Sequence, residues 1–198
     1  MQPQWEKMQQ AFSSTLTVNY KMAGLIPSWN NFNDSLNSIR RPSHMGPEWM
    51  HAKATTGTDI DNRIWIVDPP ASSFPACIAV KCAELQSPAA GARYFRVLQQ
   101  AVMTRNLNIA HTEILLELAR QYSQTDPLFN LFLFQEDLLG EKGKDAFRKD
   151  WQETKYRGIT RLPTLIFRST GQKPVVLSGF QPYELLENTA LSMGPILP

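Results

Sequence analysis

The chain has 198 residues, with 20 basic and 18 acidic side chains, three histidines and two cysteines. A net charge of +2 gives no strong pull toward nucleic acid or an anionic membrane surface. Two cysteines without a Cys/His cluster argue against a disulfide framework or a structural zinc site, and no apolar run reaches the roughly 18 residues of a membrane span.

The N-terminus, Met1-Gln2-Pro3-Gln4-Trp5-Glu6-Lys7, has no apolar signal core, so a soluble, cytoplasmic protein is expected. The length suits one domain, or one domain carrying a large insertion, with enough chain to bury a core. Pro3 fits a first helical turn, and Trp5, Met8 and Phe12 recur at helical spacing, which predicts a helix over 3–12. Residues 15–22 alternate, with Leu16, Val18, Tyr20 and Met22 on one face, and read as a strand. The polar stretch 23–44 reads as a long ordered loop, with Trp29, Phe32 and Leu36 available for burial.

Helical signals then dominate to residue 157. A short helix is expected over 45–54, ending near Gly57. Asp68-Pro69-Pro70 is a turn, after which Ser72 or Ser73 caps a helix with Pro75 in its first turn. That helix carries Cys77, Ile78, Val80, Ala83 and Leu85 and stops before Pro88. Further helices are expected over 89–103, 112–121, 127–138 and 143–156, the last exposed and charged with Phe147 and Trp151 pointing inward. The period then changes. Residues 162–167 read as a strand, Ser169-Thr170-Gly171-Gln172 as a turn, 175–177 as a second strand, and a helix starts at Pro182.

The chemistry-bearing residues are sparse. Cys77 and Cys82 lie five apart in one predicted helix. At 3.6 residues per turn they point about 140° apart with Cα atoms roughly 8–9 Å apart, beyond the reach of a disulfide. Their apolar neighbours suggest small buried thiols used in packing. His44, His51 and His111 show no metal-ligand spacing. Gly140-Glu141-Lys142-Gly143-Lys144 lacks the spacing of a phosphate loop and reads as a connection between helices. Trp29, Phe32, Trp49 and Trp65 either line a groove or pack the helical region. Pro163 opens an apolar β-branched run, and by local sequence it either starts an edge strand or holds a more specialised turn.

Several segments in order resemble one family. They are Gly24-Leu25-Ile26-Pro27-Ser28-Trp29, Pro42-Ser43-His44-Met45-Gly46-Pro47, Trp65-Ile66-Val67-Asp68-Pro69-Pro70, Pro75-Ala76-Cys77-Ile78-Ala79-Val80-Lys81, Arg161-Leu162-Pro163-Thr164 and Ser178-Gly179-Phe180-Gln181-Pro182-Tyr183. Together they resemble the DsbA family, and within it the FrnE-like branch of dithiol-disulfide oxidoreductases and isomerases. The resemblance implies an α/β, thioredoxin-like fold with a helical insertion and without its first β-strand. It implies a single domain over 1–198, with the thioredoxin part at about 1–22 and 158–192 and the insertion at about 45–157. It also implies a cis peptide before Pro163, with Leu162 and Pro163 as the substrate-contacting residues, bound to an extended peptide through their backbone.

The family's Cys-x-x-Cys has no counterpart here, and Met1 aligns just after the place where the second cysteine would stand. The expectation is a start at an internal methionine, and with it poor solubility or self-association. No catalytic residue, metal or cofactor is implied for this chain. The first functional reading is a thiol-disulfide exchange lineage acting on protein or peptide thiols and disulfides, redox-inactive as the chain stands. The alternative is a non-catalytic peptide-binding or adaptor module, and the third is a glutathione-dependent transferase or isomerase relative.

Overall fold

Nine α-helices and two β-strands, with two short 3-10 turns, follow one another in the computed structural model, which describes residues 2–35 and 37–194. Helices α1 (Gln2–Ala11), α2 (Met45–Thr56), α3 (Ile64–Val67), α4 (Phe74–Glu84) and α5 (Pro88–Thr104) come first. Then come α6 (Thr112–Ser123), α7 (Leu131–Leu139), α8 (Lys142–Tyr156), strands β1 (Thr164–Phe167) and β2 (Val175–Ser178), and α9 (Tyr183–Ser192). They form two compact units, one from Met1–Asn19 with Gly158–Pro198 and the other from Tyr20–Arg157.

In the first unit the hairpin and two helices share a small core. β1 and β2 pair antiparallel, Thr164 opposite Ser178 and Phe167 opposite Val175. Met8 of α1, Phe167 of β1 and Leu186 and Ala190 of α9 are buried together, with Trp5, Phe12 and Leu165 packed around them. Strand alternation sends Leu165 and Phe167 to this core, and helical spacing sends Trp5, Met8 and Phe12 there. Each large apolar side chain so buried contributes about 1.5–3 kcal/mol. The Lys7 ammonium lies 3.8 Å from the centre of the Tyr183 ring, a cation–π contact joining α1 to α9.

The second unit is helical. Its main core gathers Tyr94 and Leu98 of α5, Leu115 and Leu118 of α6, Phe134 of α7 and Phe147 of α8 against α4. The Tyr94 hydroxyl, fully buried, donates to the Leu115 carbonyl at 2.6 Å, which removes the cost of an unpaired phenol. A satellite core holds Ile64, Trp65 and Val102, against which Trp29, Met45 and Trp49 pack. The tryptophans meet edge to face, Trp49 on Trp65 with centroids 5.1 Å apart and Trp29 on Trp65 at 6.1 Å. Phe32 adds a fourth ring against Trp29. Leu36 falls outside the described residues.

Helix boundaries follow the capping chemistry. The Ser87 hydroxyl accepts from the Ala90 amide ahead of Pro88, and Asn130 accepts from the Leu133 amide at the start of α7. That cap moves α7 to begin four residues later than apolar density predicts. Gly57 closes α2 in the left-handed region, with φ of 67°. Helix α3 has no sequence-level counterpart, because four residues carry no period; the Asn106 side chain caps it by accepting from the Ile64 amide at 2.8 Å.

The strand expected over 15–22 is not formed. Exposure does alternate, with Leu16, Val18, Tyr20 and Met22 turned inward and Thr17, Asn19 and Lys21 outward. A strand also needs a neighbour to complete its ladder, and among the described residues only β1 and β2 pair in a sheet. The backbone here takes other partners. Leu16 donates to the Phe12 carbonyl, and Met22 donates to the Asp150 carboxylate.

Candidate functional site

Leu162 and Pro163 stand at the mouth of the hairpin. The peptide bond between them is cis. The Gly179 amide donates to the Pro163 carbonyl at 2.8 Å, which extends the hairpin register one pair beyond Thr164 and Ser178. The Thr164 hydroxyl donates to the Arg161 carbonyl at 2.6 Å and lies 3.0 Å from the Ser178 hydroxyl. Gly179 has φ of 81°, and a Cβ there would meet the Arg161 side chain at 3.4 Å. The glycine therefore serves both the turn and the packing of Arg161 across it.

The surface at this mouth is apolar and open. Leu162 is 51% exposed and Phe180 is 42% exposed. Leu162 precedes Pro163 and Phe180 follows Gly179, the two residues joined by the hydrogen bond at the hairpin mouth. Among the described residues the Leu162 amide and carbonyl make no hydrogen bond. The mouth thus presents a free backbone pair beside two exposed apolar side chains.

The thiols lie elsewhere, in α4. Both are free, Cys77 partly exposed and Cys82 fully buried. Burial pushes the Cys77 thiol up to about 11; a hydrogen bond from the Gly24 backbone opposes this, and the Asp150 carboxylate adds to the rise. Burial and then the Asp137 carboxylate push Cys82 up to about 12. Reactive cysteines are depressed below the ordinary thiol range, so both are displaced in the unreactive direction. Cys82 has a packing role instead. A Cβ on Gly143 would collide with its sulfur and come within 2.8 Å of the Asp137 carbonyl, so the bare glycine lets α8 approach α4.

A buried carboxylate near Cys77 has no counterpart in the sequence reading. Asp150, 2% exposed, accepts from Lys21 Nζ at 3.0 Å and from the Met22 amide at 3.1 Å, and pairs with Lys81 Nζ at 2.9 Å. Lys81 is itself buried and also pairs with Glu84. Glu153, one turn on, pairs with Lys21 at 3.1 Å and with Arg157 at 2.9 Å. Desolvation works against the Lys21 charge, but Asp150 and Glu153 outweigh it and hold its pKa above the usual lysine value. The signal was present in α8, where Asp150 shares the inward stripe of Gly143, Phe147 and Thr154. An acid in an apolar stripe asks for a partner.

The remaining sequence candidates do not converge. His44 contacts Arg41, and His111 lies beside Asn108 with Asp68 at 3.7 Å. Among the described residues no group of three or more potential ligands is placed to hold a metal. Gly140 ends α7 and Lys142 starts α8, so the Gly-Lys-rich run is a connection between helices. No helix among the described residues is long and apolar enough to cross a membrane.

Helix, hairpin and helix in one unit, with a helical unit set between them in the chain, define a protein of the thioredoxin-like, DsbA-type class. Comparison with known proteins names the family: a family model described as thioredoxin matches residues 1–188, and the chain belongs to that family. Among solved structures it is similar to a putative protein disulfide isomerase from Nitrosomonas europaea. That match has a TM-score of 0.76 and 22% identity, covering 97% of this chain and 90% of that one. It is similar also to the cytosolic disulfide reductase DsbM from Pseudomonas aeruginosa, with a TM-score of 0.67 and 18% identity, covering 96% and 95%. Curated relatives carry a different name. The ClpXP adapter protein SpxH of Halalkalibacterium halodurans is 25% identical over 186 residues, 93% of this chain and 59% of that protein. The ClpXP adapter protein SpxH of Bacillus subtilis is 28% identical over 163 residues, 80% and 53% respectively. The chain thus spans between half and three fifths of the length of these relatives.

Proposed function

We propose that this chain is a protein-binding adaptor module of the DsbA-like thioredoxin class, acting in the cytoplasm, and that Leu162 and Pro163 contact an extended segment of its partner. The observation that carries this reading is the state of the thiols. Cys77 and Cys82 are free, packed into α4 and displaced to about 11 and about 12, while the hairpin mouth keeps an exposed backbone and apolar surface. The similarity to ClpXP adapter proteins supports the same direction, and the similarity in fold to a cytosolic disulfide reductase supports the compartment. Exchange chemistry, the other reading, is favoured by the similarity in fold to a putative disulfide isomerase and a disulfide reductase, and requires a thiolate attacking a disulfide sulfur.

Two measurements separate the readings. Insulin reduction with dithiothreitol is expected to proceed at the uncatalysed rate with this chain and with a Cys77→Ala/Cys82→Ala variant. Both forms are expected to bind extended peptides on an array equally. Leu162→Asp, at a half-exposed position, is expected to leave stability within about 0.5 kcal/mol of the parent. Burying half a leucine contributes about 1 kcal/mol, and an aspartate adds a desolvation cost, so peptide binding should weaken about tenfold or more. Insulin reduction that depends on Cys77 would overturn the adaptor reading.

A further inference from the structure

The helical unit also contains a cavity. It has a volume of about 280 Å³ and is lined by residues of α4, α6, α7 and α8. Leu115 and Leu138, both buried, and Pro75 and Ile78, both half-buried, line it, with the exposed Leu139 beside them. The whole lining falls between residues 20 and 157, inside the helical unit. A water takes about 30 Å³ of liquid, so the space holds roughly nine non-hydrogen atoms, the size of one small molecule.

Two polar side chains complete the lining, Thr112 and Lys144, both exposed. No carboxylate lines the cavity among the described residues. The acids close by in sequence are engaged: Glu113 faces His111 at 3.9 Å, Asp145 pairs with Arg148, and Glu141 pairs with Lys144 itself at 2.7 Å. The Thr112 hydroxyl makes no hydrogen bond among the described residues. Lys142 is committed to the buried Asp137 at 3.3 Å. Glu141 and Lys144, in contrast, are both well exposed, and an exposed pair of this kind contributes little. The Lys144 ammonium can therefore turn from Glu141 to a ligand anion at small cost.

We propose that this cavity binds a small apolar carboxylate, its hydrocarbon lying on Leu115, Leu138 and Ile78 and its head group at Lys144 and Thr112. The lining sets this class. A neutral hydrocarbon would use neither polar group, an amine would meet a like charge, and a compact polar anion would leave the apolar surface in water. A carboxylate accepts from the ammonium and the hydroxyl together, while its chain removes the leucine and isoleucine surface from water. The proposal stands apart from the adaptor reading and neither requires nor excludes it.

The test is an NMR titration of the isotope-labelled full chain with octanoate, set beside octanol and octylamine, which carry the same chain with a neutral and a cationic head. Octanoate is expected to shift the amides of Ile78, Thr112, Leu115 and Lys144 along one saturating curve. It should bind about fivefold or more tightly than octanol, with octylamine weakest. Hexanoate, two methylenes shorter, should bind about tenfold more weakly than octanoate. Two exposed substitutions address the head group. Lys144→Gln should remove the preference for octanoate over octanol. Glu141→Gln deletes the competing partner, so it should tighten octanoate about two- to fivefold and leave octanol unchanged. Equal binding of octanoate and octanol by the parent chain, a Glu141→Gln variant that binds octanoate as the parent does, or shifts spread along the chain without saturation would each overturn the proposal. None of these outcomes bears on the adaptor reading, which fails by a separate readout, Cys77-dependent insulin reduction.

Discussion

Thiol reactivity offers the most direct access to the chemistry of this chain. At pH 8 an unperturbed thiol, with a pKa of 9.0, is about one tenth thiolate. Cys77, pushed to about 11, is about one thousandth thiolate at that pH, and Cys82, pushed to about 12, about one ten-thousandth. The thiolate fraction alone would slow reaction about 100-fold and about 1,000-fold. A more basic thiolate is a better nucleophile, and with a Brønsted coefficient of about 0.4–0.5 this returns roughly 8-fold and 25-fold. The net expectation is a native rate lower than the unfolded rate by roughly 12-fold for Cys77 and roughly 40-fold for Cys82, before restricted access slows either further. The assay is 5,5′-dithiobis(2-nitrobenzoate) absorbance with and without guanidinium, using Cys77→Ala and Cys82→Ala to assign the phases. The pH profile adds an independent check. The native rate should still be climbing at pH 10, where the unfolded rate has levelled off. A native thiol that reacts at the unfolded rate, or whose rate levels off below pH 9, would refute the reasoning and return Cys77 to the list of candidate nucleophiles.

Other expectations concern stability. Asp150→Ala leaves buried Lys81 with Glu84 alone and the Met22 amide without its acceptor, and should cost about 1–3 kcal/mol in chemical denaturation, more than removing an exposed pair. Gly143→Ala drives a methyl group into Cys82 and should cost about 1–3 kcal/mol. Adding Cys82→Ala should recover only part of that loss, since the Asp137 carbonyl still stands in the way, and a double-mutant cycle measures the coupling. Acid should also destabilise the fold. The Tyr122 hydroxyl, the Leu128 amide and Arg93 hold Asp126 below its usual range, and Lys21 and Arg157 do the same for Glu153. Depressed carboxylates stabilise above their unfolded values of 3.8 and 4.5 and lose that contribution as pH falls through the folded values. The melting temperature should therefore be flat near neutrality and fall below about pH 4.5, and Asp126→Asn should make that fall shallower.

Legibility in the sequence tracked locality. Helices α4, α5 and α8 follow from periodicity and caps, because a helix closes its hydrogen bonds within itself. The hairpin was readable for the same reason, its turn and both strands lying within one short stretch. The segment 15–22 shows the limit. Its alternation correctly marked which side chains turn inward, but a strand is completed only by a neighbour, and no local pattern reports that. Asp150 shows a second limit, since its partners Lys21 and Lys81 lie far away along the chain. Leu162 and Pro163 were identifiable as a location. The hydrogen bond from Gly179 to Pro163 that fixes the hairpin there is not legible in any local pattern.

The carboxylates of α8 also bear on the two ends of the helical unit. Lys21 lies just inside the start of the helical unit and Arg157 closes its end, and both reach the same Glu153, while Asp150 secures Met22 beside them. The entry and exit of that unit are thereby clipped together by side chains. A segment whose ends meet can be set into a loop of another polypeptide without forcing that loop apart. Glu153 is thus the point at which both ends of the helical unit are held.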